Sequence, residues 1–125
     1  MIDIKDDLKT LLDNSTSLVT LLGGKKFFWE PAPDEAVLPR ITFLEDNNTD
    51  TFYADNIPLI AKITYQFGVF VNTKASSSLG PIVQELDKVL RSDGWTRELC
   101  QDGYDASRGT RIKILKYTTT VEEDS

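Results

Sequence analysis

The 125-residue sequence contains no histidine. That removes the side chain most often used as a general base near neutral pH and the commonest metal ligand, and with it every serine, cysteine or zinc enzyme built on histidine. Cysteine is almost as scarce. Cys100 stands alone, which excludes an intramolecular disulfide, a CxxC redox pair and a thiolate zinc site, and its expected role is that of a small buried hydrophobe. No stretch approaches the about eighteen apolar residues of a membrane span. The opening Met1-Ile2-Asp3-Ile4-Lys5-Asp6-Asp7 lacks the basic region and apolar run of a secretory signal. The expectation is a chain kept in a cytosol with no membrane partner, where the sequons Asn14-Ser15-Thr16 and Asn47-Asn48-Thr49 stay unmodified.

Positive charge is in deficit. Lys and Arg number 14 against 20 Asp and Glu, a net charge of −6. Arg91, Arg97, Arg108, Arg111 and Lys113 gather in the second half, but in so acidic a chain they do not make the footprint of a DNA-binding domain. With 40% hydrophobic and 27% charged residues the chain is of the globular class rather than the disordered or collagenous one. One domain spanning 1–125 is expected, and a chain of this size buries about two-thirds of its unfolded surface.

Ile4, Leu8, Leu11 and Leu12 recur at helical spacing behind Asp3, Asp6 and Asp7, acids that suit the positive end of a helix dipole, so residues 3–13 read as a helix. A second, short helix follows Asn14-Ser15-Thr16-Ser17 and ends at Gly23-Gly24. Lys25 to Trp29 reads as a strand, Pro31, Pro33 and Pro39 impose an extended connection, and Arg40 to Asp46 resumes as a strand. The polar run Glu45 to Thr51 has too little apolar surface to pack and is expected to be a solvated loop. From Ile57 to Val71 every odd position is apolar, which predicts a long strand with one face on the core and favours an antiparallel sheet. Ser76-Ser77-Ser78 offers N-caps to a helix with Pro81 in its first turn and an apolar stripe from Leu79 to Leu90, closed by Ser92-Asp93-Gly94. Trp95 to Leu99 and Arg111 to Thr120 read as strands joined through Asp102-Gly103 and Ser107-Arg108-Gly109, and Val121 to Ser125 as a frayed acidic tail. The order predicts an α+β fold: a single-layer, mostly antiparallel or mixed sheet with two to three helices on one face.

The chemical motifs are fragments. Gly23-Gly24-Lys25-Lys26 has Val19 and Lys26 where a phosphate loop needs Gly and Ser or Thr. Asp46, Asn48 and Asp50 match half of a calcium loop, but Thr51 replaces its Gly and Ile57 its bidentate acid. Asp102 and Asp105 are the obvious carboxylate pair, although turns are rich in aspartate for backbone reasons alone. No catalytic residue, metal ligand or cofactor is therefore expected. Phe52-Tyr53, beside the acidic run, either folds back onto the core or touches a partner.

The order of phrases resembles a family. Leu21-Leu22-Gly23 ends the helical start, Phe27-Phe28-Trp29 follows, and a proline-rich stretch ends in Val37-Leu38-Pro39-Arg40-Ile41-Thr42. Tyr53-Ala54-Asp55, the strand running to Phe70-Val71-Asn72-Thr73-Lys74, and the helix Leu79 to Leu90 complete the pattern. Over nearly the whole chain this layout is similar to the small tail-completion or tail-terminator proteins of long-tailed bacteriophages. The resemblance implies a structural virion protein that caps the tail tube as a homo-hexameric ring and joins tail to head. Its implied partners are the tail tube protein and a head-neck connector, with DNA passing through unbound. It implies assembly in the host cytoplasm, as a monomer or a ring before docking, and a final place at the head-tail interface. A ring needs two different patches per subunit, and the candidates are Asp46, Asp50, Phe52, Tyr53 and Asp55 on one side and Asp102, Tyr104, Arg108 and Arg111 on the other. The alternatives are another neck or minor tail component, or a small ligand-binding or carboxylate-using enzyme domain.

Overall fold

A computed structural model describes residues 3–29, 38–54, 57–105 and 109–122. Helices α1 (Lys5–Asp13) and α2 (Thr16–Leu22) open the chain, followed by strands β1 (Phe27–Trp29), β2 (Arg40–Ala54) and β3 (Ile57–Asn72). A 3₁₀ segment (Thr73–Ser78) leads into α3 (Leu79–Ser92), and β4 (Thr96–Asp105) and β5 (Thr110–Glu122) close the fold. The strands form one sheet in the order β1-β2-β3-β5-β4, with β1 parallel to β2 and the other pairs antiparallel. This is the α+β architecture that the alternation and the helical stripes predict.

Local signals set the helices. Asp6 and Asp7 lie in the first turn of α1, and the inward Leu8 and Leu12 are buried. In α2 the Ser15 hydroxyl accepts the Leu18 N–H and Gly23 ends the helix at φ 74°, a conformation that costs glycine nothing. Ser78 occupies the N-cap of α3 without a capping bond; its hydroxyl donates to the Ala75 carbonyl instead.

The inward positions of β3 are Ala61, Ile63, Tyr65, Phe67, Val69 and Val71, and all are buried. They join Ile41 and Phe43 of β2, Leu115 and Tyr117 of β5, and the apolar stripes of the helices in one cluster. The opposite face carries no helix among the described residues. There Leu44, Phe70, Leu99, Ile112 and Ile114 lie half-buried, and Thr42, Thr64 and Thr118 are buried, with Thr64 and Thr118 hydroxyls 2.9 Å apart.

Four expectations are corrected. The polar run Glu45 to Thr51 lies in the outer half of β2 and not in a loop; Glu45 and positions 47–50 pair with β3, with a bulge between Glu45 and Asn47. Asp102-Gly103 lies inside β4, opposite Lys113 and Ile112; of the second turn signal, Ser107-Arg108-Gly109, the described Gly109 sits between the strands at φ 59°. Cys100 is exposed, because its strand is the sheet's edge and the helices stop short of it. Val121 and Glu122 are not frayed but pair with Ala61 and Ile60. The prolines Pro31 and Pro33, with Ser107 and residues 123–125, fall outside the described residues.

Phe70 folds over Gly68, and the Arg40 guanidinium stacks on its other side at 4.6 Å. A Cβ on Gly68 would stand 2.7 Å from the Phe70 ring and 2.9 Å from the Thr42 hydroxyl. Gly68→Ala is therefore expected to destabilise the protein by about 1–2 kcal/mol, overpacking exceeding the gain in strand propensity. Urea unfolding of the two proteins measures it.

Candidate functional site

The β4–β5 ribbon gathers the chemistry. On the helix side of the sheet Tyr104 is opposite Arg111 and Asp102 is opposite Lys113. The Lys113 ammonium donates to the Asp102 carboxylate at 2.8 Å, which holds the Asp102 carboxyl below its ordinary value and Lys113 above its own. The Arg111 guanidinium lies 5.6 Å from the Tyr104 ring centre, and Tyr104 is 58% exposed. Between this ribbon and the first turns of α3 runs a cavity of about 460 Å³, floored by Arg111 and Lys113 and walled by Gly80 and Gln84.

Further along α3, Asp87 is the hub of a second cluster. It accepts hydrogen bonds from the Tyr117 hydroxyl and from Arg91 Nε at 2.8 Å, and Arg97 stands 3.5 Å away. Burial pushes the Asp87 carboxyl up, but these hydrogen bonds and the two guanidinium charges outweigh it and hold the carboxyl below its ordinary value. Burial and the same bond push the Tyr117 hydroxyl up. The sequence signals part of this, since Asp87 and Arg91 are four apart on a helix. The partnership with Tyr117, 30 residues away, has no sequence signal.

The second-half cations thus divide into two groups, Arg91 and Arg97 on Asp87, and Arg111 and Lys113 on the ribbon. Arg108 lies outside the described residues. Of the carboxylate pair, Asp102 is committed to Lys113, and the side chain of Asp105 lies outside the described residues.

Asp46 is not part of the Asp102–Tyr104–Arg111 group; it reaches the ribbon on the opposite face, where it lies 3.3 Å from Lys116 of β5. Positions 50, 52 and 53 continue β2 towards its end; their side chains, and all of Asp55, lie outside the described residues. The outer half of β2 pairs with the start of β3, whereas the Asp102–Asp105 stretch pairs with the start of β5, which lies beside the end of β3. From Ile60 to Asn72 is about 40 Å of strand. The structure therefore brings Asp102, Tyr104 and Arg111 together and sets Asp46 apart from them, beside the middle of β3, with positions 50, 52 and 53 further towards its start.

The Asp87 cluster makes stability depend on acid. A carboxyl whose value is lowered by folding contributes stability above its unfolded value of about 3.9 and loses it as pH falls through the folded value. Asp87→Asn is expected to cost about 1–2 kcal/mol at neutral pH, with the difference from the parent shrinking below about pH 4. Urea titrations at pH 7, 4 and 3 read this out.

No protein-family model matches the chain, and no curated protein sequence matches it. Among solved structures, the fold is similar to that of a chain in the virion of a native gene transfer agent particle. The TM-score is 0.72 at 13% sequence identity, over 91% of this chain and 90% of that one.

Proposed function

We propose that this protein is a structural component of a phage-like particle, one subunit of a ring that caps the tail tube and joins it to the head. The observation that carries the reading is the fold shared over 91% of the chain with a virion component, together with the sequence phrases that resemble tail terminators. Function then resides in surfaces rather than in a pocket. The ring closes through six copies, meets the tail tube protein on one face and a neck connector on the other, and lets DNA through its lumen. It assembles in the host cytoplasm and ends at the head-tail interface.

The placement of the two patches supports this reading. A closed ring needs a heterologous contact between two different regions of one chain. The outer half of β2, with positions 46 and 50, pairs with the first half of β3, whereas Tyr104 and Arg111 pair beside its end; the two regions are free to meet between subunits, and Asp55 and Arg108 join them on the sequence alone. An acidic chain, at net charge −6, also suits passage of DNA, because a basic lumen would bind phosphates by counterion release.

Deleting the gene in its source genome and imaging lysates by negative-stain microscopy tests the role. Overlong tails beside filled, detached heads are expected; intact particles of normal length would refute it. For the contact, the double variant Arg108→Glu with Arg111→Glu is expected to keep the fold by circular dichroism and to lower recovery of the protein on purified tails at least tenfold. Full recovery would remove these residues from the interface.

A further inference from the structure

An apolar notch opens on the helix layer, away from the ribbon. It holds about 380 Å³ and is floored by Ile4, Leu11, Trp95 and Val121, with Asp7, Asp93 and Glu122 on its rim. None of these three acids forms an ion pair among the described residues; Asp93 accepts only the Trp95 indole N–H, at 3.2 Å. A site with an apolar floor and an unpaired acidic rim takes an apolar side chain carried between cations.

The same chain displays such an element. Among the described residues only Leu21, Trp29 and Tyr104 are large hydrophobics with substantial exposure. Trp29 lies under the Lys5 ammonium at 4.7 Å and Tyr104 beside Arg111. Leu21, 41% exposed, stands at the end of α2 with Lys25 and Lys26 directly after the Gly23-Gly24 cap. Neither lysine has an ion-pair partner among the described residues. This knob leads into β1, the edge strand on one side of the sheet, whereas the notch lies between α1, the Asp93–Trp95 turn after α3 and the end of β5.

We infer that the notch receives Leu21 of a second copy of this chain, with Lys25 and Lys26 of that copy on Asp7, Asp93 and Glu122. The contact rests on the ring reading above and adds its register. In the Asp46-to-Arg111 contact the β1–β2 side contributes acid and the β4–β5 side contributes base. In the knob-and-notch contact the senses are reversed. A neighbour that slides or flips sets like charges opposite each other, so two contacts of opposite polarity define one alignment where one contact would leave several.

Zero-length carbodiimide cross-linking tests it on an equal mixture of isotopically light and heavy full-length protein, free and bound to purified tails. Peptide mapping is expected to find light-to-heavy links from Lys25 or Lys26 to Asp7, Asp93 or Glu122. Lys25→Glu with Lys26→Glu, the first exposed and the second half-buried, is expected to lower the oligomer yield at least tenfold with an unchanged circular dichroism spectrum. Adding Asp93→Lys and Glu122→Lys to the same chain is expected to restore it. Oligomers that persist without these links, or that are indifferent to the lysine reversals, overturn this contact and leave the ring standing. Absence of any cross-linked oligomer, free or on tails, overturns both.

Discussion

Everything in this molecule is referred to the inner face of β3. Six alternate positions from Ala61 to Val71 are buried, and the strand is paired on both sides, to β2 and β5. Tyr65 and Phe67 stack in series with Phe43 at centroid distances of 6.4 and 6.5 Å. Trp95 meets both edge-on, and Tyr117 meets Phe67 edge-on at 5.8 Å. Each such pair adds roughly 0.5–1.5 kcal/mol beyond its buried area. The Tyr65 hydroxyl has no hydrogen-bond partner among the described residues, and burial pushes its ionisation up. The apolar packing of the ring tolerates that unsatisfied group.

Because β3 is committed to one face, the helices are committed to the same one, and among the described residues the other face of the sheet carries no helix. Its apolar side chains are only half-buried and are interspersed with charges that are already paired, Asp46 with Lys116 and Lys62 with Glu98. Paired charge recurs on the helix side at Asp87 and Asp102.

The fold was legible wherever one segment carries its own pattern. The odd positions of β3, the stripe of α3 and the Gly23 cap needed no partner to be read. The failures share a cause. Glu45 to Thr51 lacks a hydrophobic pattern and becomes strand because β3 offers a ladder beside it. Asp102-Gly103 looks like a turn by local chemistry but is held straight by Lys113 and Ile112 across the ribbon. Cys100 faces the helix side opposite the buried Leu115, and only the extent of the helices decides that one is covered and the other is not. Of the candidate residues, Asp102, Tyr104 and Arg111 were legible as a local group. Their separation from Asp46 is a property of strand order, and Asp87 with Tyr117 is a long-range contact that spacing does not encode.

On the proposed function, this fold works as a ring subunit at the head-proximal end of a tail. Cryo-electron microscopy of purified particles from the source genome, with averaging at the tail's upper end, tests it most directly. The expected result is a six-fold ring into which the five-stranded sheet and three helices fit as one body, with the β1–β2 edge of each copy against the β4–β5 edge of the next. Density at that position that the fold does not fit, or particles that lack this chain altogether, would contradict it.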